Sequence, residues 1–451
     1  MDACAGQPKQ QRVRRREVAA IAGGLTALLG AACRPGEGSA GGGVLGPLTK
    51  EPVTLRLMQR AAPEEQFAHK YAAEYSERYP NIKVVLEETP TPDYWTKVLT
   101  VLASDQLPDL VWAWSPEGRL AAYANAGVFR PLDDLVRADK LDLAQFYPGA
   151  IEADRWEGKL WALPTVAHPG EVTIYYNQNL LDAASVKTPD LSTTVDDVVA
   201  GGRRVMDLVN ASRADGNKVW GYHSGRGYFQ AIIRLRAFGG DVLSADGKQA
   251  VLNTPAAKAT LQWEYDTIAR HRIAPSPSEM QGVGFLDGNV ALTGNNVANV
   301  AIWRRTIGER FRWAPTLFPA GPGGKRGTSL HTGTMHIGRP TRYVAEGWEL
   351  IKLLSSHEVG VQKVLMNSGT PGARPDVWND PRLHAFEPFY KVGATLMPEA
   401  RPHPVAFNLK TTDALAALNQ GLPEIWSSKV SPATGAEQIA RAMQAVLDLP
   451  R

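Results

Sequence analysis

At 451 residues the chain exceeds the size at which one hydrophobic core keeps growing, so two lobes of roughly 150 to 200 residues are expected. A 44% hydrophobic and 21% charged composition is that of a soluble globular protein. The net charge of +3, from 49 basic and 46 acidic residues with no Lys/Arg block beyond the N-terminus, argues against nucleic acid as a partner.

The chain begins with an address. Arg12, Arg14, Arg15 and Arg16 precede the apolar run Val18 to Ala32, and Cys33 follows. A basic segment, an apolar segment and a small-residue cleavage zone make residues 1–32 a signal peptide, to be excluded from the fold. Arg15-Arg16-Glu17-Val18 resembles a twin-arginine export signal. Leu29-Gly30-Ala31-Ala32-Cys33 resembles a bacterial lipobox, although Gly30 stands where lipoboxes prefer Leu. Lipidation would fall on Cys33; the other reading is a plain signal peptide with Cys33 incidental. Residues 33–50 are Gly-rich and read as a flexible tether with a reach of roughly 20 to 25 Å. Only Cys4 and Cys33 exist, and Cys4 leaves with the signal, so no disulfide is expected in the mature fold.

The fold starts with an alternating strand, Val53 to Met58, and a helix from Glu64 to Tyr79 with Phe67, Tyr71, Tyr75 and Tyr79 on one face. A second strand at Ile82 to Leu86, a helix at Tyr94 to Ser104 and a third strand at Leu110 to Ala113 complete a β-α-β-α-β series. That rhythm predicts a parallel sheet with helices on its faces, and ligands bind such sheets beyond the carboxyl ends of the strands. Trp114-Ser115-Pro116-Glu117 occupies that place, before a helix running to Ala126.

The next landmark is Gly158 to Asn179. Lys159 to Pro164 and Val172 to Tyr176 read as strands around a Pro169-Gly170 turn, which puts His168 to Glu171 on a crossing between lobes. The strand-helix rhythm then resumes. Helices are predicted at Val195 to Ser212, Tyr228 to Phe238 and from Thr254-Pro255 to His271. Strands are predicted at Val219 to Tyr222, Asn289 to Leu292 and Phe311 to Phe318, with a helix around Trp303. Pro319 to Gly327 must be a loop, and Thr328 to Ile337 reads as a strand crossing back to the first lobe. Helices at Thr341 to Ser355, around Leu383 to Leu396, at Thr411 to Asn419 and at Gly435 to Leu449 follow, with a turn-rich third crossing at Gly369 to Arg374.

Ordered along the chain, Leu107-Pro108-Asp109-Leu110-Val111, Tyr123 to Gly127, Leu132-Asp133-Asp134, Gly158 to Trp161, Tyr175-Tyr176-Asn177 and Pro319 to Gly324 resemble the extracellular solute-binding proteins of ABC transporters. The carbohydrate-binding branch, which includes maltose-binding proteins, is the nearest in pattern. The resemblance spans roughly Glu51 to Leu449 and implies an α/β fold of two lobes, the type II periplasmic-binding-protein architecture, with three crossings and a ligand cleft. Lobe 1 would comprise residues 51–168 and 332–370, and lobe 2 residues 169–331 and 371–451. The implied ligand is a sugar or oligosaccharide, the implied partners are ABC transporter permease subunits, and the protein would be a monomer anchored by lipid to the outer face of the bacterial cytoplasmic membrane.

Carried over position by position, the loop after the third strand offers Trp114, Ser115, Glu117 and Arg119. The first crossing offers His168 and Glu171, and the second lobe offers Tyr228, Phe229, Asn295, Asn296 and Trp303, the last as an aromatic platform. His331, Arg374, Phe407 and Asn408 complete the set. Packing competes for several aromatics: Trp112, Trp161 and Trp348 read as core. His331 and His336 lie five apart on a strand and face opposite sides, so no shared metal is expected. No cofactor motif is present, and Gly321 to Thr328 lacks the Lys-Ser/Thr ending of a phosphate loop. Two other readings stay open, a secreted carbohydrate-active enzyme using Glu117 and Glu171, and a binding protein of the same fold for a non-sugar solute.

Overall fold

The computed structural model describes residues 45–62, 65–104, 106–115, 120–211, 213, 218–366, 369–403 and 409–449. Cys33, the signal segment, most of the tether, Glu117, Arg119, Phe407 and Asn408 lie outside them. The first part of the chain contains β1 (Val53–Ala61), α1 (Phe67–Arg78), β2 (Ile82–Pro90), α2 (Tyr94–Ala103), β3 (Leu110–Trp114), α3 (Leu120–Asn125), α4 (Asp133–Asp139) and α5 (Pro148–Ala153). Then come β4 (Arg155–Trp156), β5 (Lys159–Leu160), β6 (Leu163–His168), β7 (Thr173–Asn177), α6 (Gln178–Ala183), α7 (Val195–Asn210), β8 (Trp220–Ser224), α8 (Tyr228–Ala237) and α9 (Pro255–Ala269). The remainder is β9 (Val290–Asn295), α10 (Asn299–Ile307), β10 (Trp313–Leu317), β11 (His331–Ile337), α11 (Val344–Leu354), α12 (His357–Leu365), α13 (Pro375–Trp378), α14 (Pro381–Phe386), α15 (Phe389–Ala394), α16 (Thr411–Trp426) and α17 (Pro432–Leu447).

Two main sheets carry two lobes. The first has the order β2-β1-β3-β11-β6 and the second β10-β7-β9-β8. The β-α-β-α-β rhythm yields parallel pairs β1–β2 and β1–β3, as the sequence predicts. β11, which arrives from the other lobe rather than through a helical crossover, pairs antiparallel with both β3 and β6, so β6 runs in the direction of β3.

Local chemistry explains the helices. On α1 the four-residue spacing buries Phe67, Tyr71 and Tyr75, and the Tyr75 hydroxyl donates to the Glu346 carbonyl at 2.9 Å. Thr194 and Asp197 form a reciprocal capping box at the start of α7. Thr254 caps α9 with Pro255 in its first turn, as the sequence predicts. α16 runs seven residues beyond the expected end at Asn419, through Pro423, because its buried face (Leu418, Leu422, Ile425 and Trp426) outweighs the one backbone hydrogen bond that proline removes.

Trp112 and Trp348 are fully buried in the first lobe, and Trp161 is buried too. The Trp348 indole donates to Asp139 at 3.0 Å. A second buried cluster joins α7, α9, α16 and α17 to the other sheet.

The crossings lie side by side. His331 pairs with His168 across β11 and β6, and the Ser329 amide donates to the Pro169 carbonyl at 2.9 Å. Gly170 makes this approach feasible: its φ is +90°, and a Cβ there would lie 2.6 Å from the Ser329 carbonyl oxygen. The third crossing joins them where the Ala167 amide donates to the Pro371 carbonyl at 3.3 Å. The chain does not return to the second lobe at residue 371. α13 and α14 pack on α12 of the first lobe, α15 reaches β10, and only α16 settles on α8, α9 and α17. Buried Val377, Trp378 and Leu383 hold the segment there.

Candidate functional site

A cavity of about 250 Å³ opens between the lobes, where the strands of both sheets end. Its wall takes Arg60 from the end of β1, Trp114 from β3, Val166 and His168 from β6, and His331 from β11. Glu171 on the first crossing, Phe229 of α8, Asn296 and Ala298 after β9, and Thr370 complete it. Glu65, in the bend before α1, is the remaining lining residue.

Aromatic rings form a continuous run across the site. Trp114 stacks on Trp112 at 6.2 Å and on His168 at 5.5 Å between ring centres. His168 meets His331 edge-on at 5.1 Å, and His331 in turn meets Phe229 at 5.5 Å and His403 at 5.4 Å. The Arg60 guanidinium sits 4.2 Å from the Trp112 ring centre and 5.8 Å from that of Trp114, so a cation accompanies the stack. Arg60 is also ion-paired with Glu65 at 2.9 Å.

Burial sets the protonation of this wall. It pushes the His168 imidazole down to about 4, and the Gly170 amide donates to Nδ1 at 3.2 Å, a contact only the neutral ring can accept. His331 and His403 are held well below the usual histidine range, also mainly by burial. All three are therefore neutral at physiological pH. Burial pushes the Glu171 carboxyl up to about 7, opposed by hydrogen bonds from Asn296 and Gln230 and by the positive Arg234. Arg234 is itself buried and paired with Glu264, and it also donates to Ser224 Oγ and to the Gly225 carbonyl, both at 3.0 Å. Glu171 Oε2, Asn296 Oδ1 and His331 Nε2 are buried with no partner among the described residues. Such groups invite a ligand, because leaving one unpaired costs about 1 to 3 kcal/mol.

Six residues named from the sequence meet here: Trp114, His168, Glu171, Phe229, Asn296 and His331. Ser115 instead fastens the second crossing, its Oγ accepting from the Thr332 amide at 2.9 Å. Asn295 folds its side chain back to accept from the Asn296 amide at 2.9 Å. Tyr228 lies one ring further out, 4.1 Å from Phe229 and 5.6 Å from His403.

Trp303 is not a platform in this cavity. It is buried in the second lobe against Tyr175 at 4.4 Å and Phe285 at 5.3 Å, because the α10 turn that carries it faces the core. Arg374 is likewise absent from the wall: Asp376 at 2.7 Å and Gln145 hold its guanidinium. His331 faces the cavity, whereas His336 stacks on Phe129 at 4.1 Å inside the first lobe. Among the described residues no group of three His, Cys, Asp or Glu could hold a metal ion.

Arg60, Glu65, Thr370 and the neighbouring His403 escape a reading of the sequence. Arg60 had a usable signal, since it lies one residue from the end of β1 and Trp114 ends the adjacent β3. His403 had none, because only tertiary packing brings it to His331.

Residues 61–361 match the family model described as bacterial extracellular solute-binding protein. The arabinooligosaccharide-binding protein of Bacillus subtilis (strain 168) is 24% identical over 337 residues, covering 71% of this chain and 73% of that protein. An ABC substrate-binding protein from Listeria monocytogenes, solved in complex with cycloalternan, superposes with a TM-score of 0.76 at 18% identity, covering 88% of this chain and 99% of that one. The GacH receptor of Streptomyces glaucescens GLA.O, solved unliganded and with acarbose, gives a TM-score of 0.74 at 18% identity over 88% of this chain and 98% of that one.

Proposed function

The chain belongs to the bacterial extracellular solute-binding protein family, and on that premise we propose that it captures a sugar or oligosaccharide in the interlobe cavity for an ABC importer. The observation that carries this reading is the wall itself: the aromatic rings of Trp114 and Phe229 line it together with buried hydrogen-bonding groups that lack partners among the described residues. Sugars present apolar C–H faces and hydroxyl groups together, and such a wall matches both. The names of the relatives support it, since they bind an arabinooligosaccharide, cycloalternan and acarbose. Capture is non-covalent. Closure of the lobes follows if the sugar binds the closed arrangement better than the open one.

Delivery goes to membrane permease subunits. The family is one of exported proteins, and among the described residues no helix is long and apolar enough to cross a membrane. We extend the reading to an anchor through lipidated Cys33 and the Gly-rich tether, on the lipobox resemblance of Leu29 to Cys33, with the protein monomeric on the outer face of the cytoplasmic membrane. The test is a calorimetric and thermal-shift screen against mono- and oligosaccharides, amino acids, polyamines and short peptides. Saturable binding of a saccharide supports the reading. A response confined to another solute class overturns it.

A further inference from the structure

We propose that the captured solute carries a protonated amine, as on an amino sugar, and that Glu171 and Asn296 hold that amine. The proposal rests on the sugar-capture reading and narrows it to a ligand class. Glu171 is 7% exposed and lines the cavity, yet its Oε2 has no partner among the described residues. Asn296 lines the same wall with its Oδ1 buried and equally unpartnered. The Asn296 side chain favours the charged form of the Glu171 carboxylate, and both residues bring a vacant buried acceptor to the same cavity. A hydroxyl has one proton to give, whereas an ammonium has two or three on one atom.

Charge points the same way. The charged residues of the described wall are Arg60, Glu65 and Glu171. Arg60 and Glu65 neutralise each other at 2.9 Å. Arg234 lies behind the wall and its charge is shared with Glu264. The lining thus has an excess of one carboxylate, and burial keeps the adjacent His168 and His331 neutral. A buried charge without a counter-charge is costly, and a ligand cation removes that cost. Phe229 and Trp114 line the same cavity, and aromatic faces attract cations.

Calorimetric titration of the full chain near neutral pH with matched probes tests this. Glucosamine, galactosamine, mannosamine and the glucosamine β-1,4 dimer are each compared with the corresponding neutral sugar and N-acetyl sugar. An amine form is expected to bind about ten- to a hundredfold more tightly than its neutral counterparts, the range for one charge-assisted hydrogen bond. Glu171→Gln is expected to erase that preference, and Asn296→Asp, which adds a second carboxylate, to enlarge it. Neutral sugars binding as tightly as the amines overturn the amine assignment and leave sugar capture standing. Failure of every saccharide to bind overturns both.

Discussion

Replacing Glu171 by Gln changes one proton and almost no volume, and its consequence for stability can be worked from the structure. Burial raises the Glu171 carboxyl from 4.5 to about 7 in the folded protein. Between those values the folded state holds a proton that the unfolded state has released. The stability linked to Glu171 is therefore fully present below about pH 4.5 and is lost as pH rises through 7. The shift corresponds to a cost on the order of 3 kcal/mol once the group is ionised in both states. Glu171→Gln removes this cost. Its unfolding free energy should match wild type near pH 4.5 and exceed it by on the order of 3 kcal/mol near pH 8.5. Urea unfolding of ligand-free protein, followed by tryptophan fluorescence at a series of pH values, reads the difference directly. The three neutral histidines are present in both proteins and cancel. A difference independent of pH would refute the claim that Glu171 is a desolvated carboxyl without a cation of its own.

The histidines predict an opposite trend in the Glu171→Gln background. His168, His331 and His403 are all lowered by burial, so their stability is full above 6.5 and lost as pH falls below it. His331→Phe should flatten that acid limb in the same unfolding assay; an unchanged limb contradicts the assignment. Trp303→Ala removes an aromatic packed on Tyr175 and Phe285 and should destabilise the fold by about 3 to 5 kcal/mol. Ligand affinity measured under folding conditions should stay within a few fold, whereas Trp114→Ala should lose binding with less effect on unfolding. Gly170→Ala forces a side chain into φ +90° and within 2.6 Å of the Ser329 carbonyl oxygen. It should cost at least about 1 to 3 kcal/mol and disturb the paired crossings, read as a lower unfolding midpoint.

Much of the molecule was legible because its signals are local. The parallel half of the first sheet follows from alternating strands and amphipathic helices between residues 53 and 126. Trp114, His168, Glu171 and His331 could be named because strand ends and crossings are where such folds put ligands. The remainder was not local. Gln59 and Arg60 look like the polar end of a strand, yet both are buried, with Gln59 Nε2 donating to Glu88 at 2.9 Å and Arg60 paired to Glu65. Trp303 has the composition of a platform and the surroundings of a core residue, and sequence does not distinguish those. Arg374 carried its own warning in Asp376, two residues on, which takes up the guanidinium. α12 was absent from the expected elements because it begins only two residues after α11, where Ser356 caps a new helix by accepting from the Val359 amide at 3.4 Å.

The central claim, that solute is held between the lobes by this wall, is tested most directly by calorimetric titration of one saccharide hit from the screen into wild type, Trp114→Ala and Phe229→Ala. The two rings come from opposite lobes and reach the same cavity. Capture between the lobes predicts that each substitution alone weakens binding at least about tenfold, the effect of roughly 1.4 kcal/mol of lost contact, in proteins that still unfold cooperatively. Binding that survives both substitutions unchanged contradicts it.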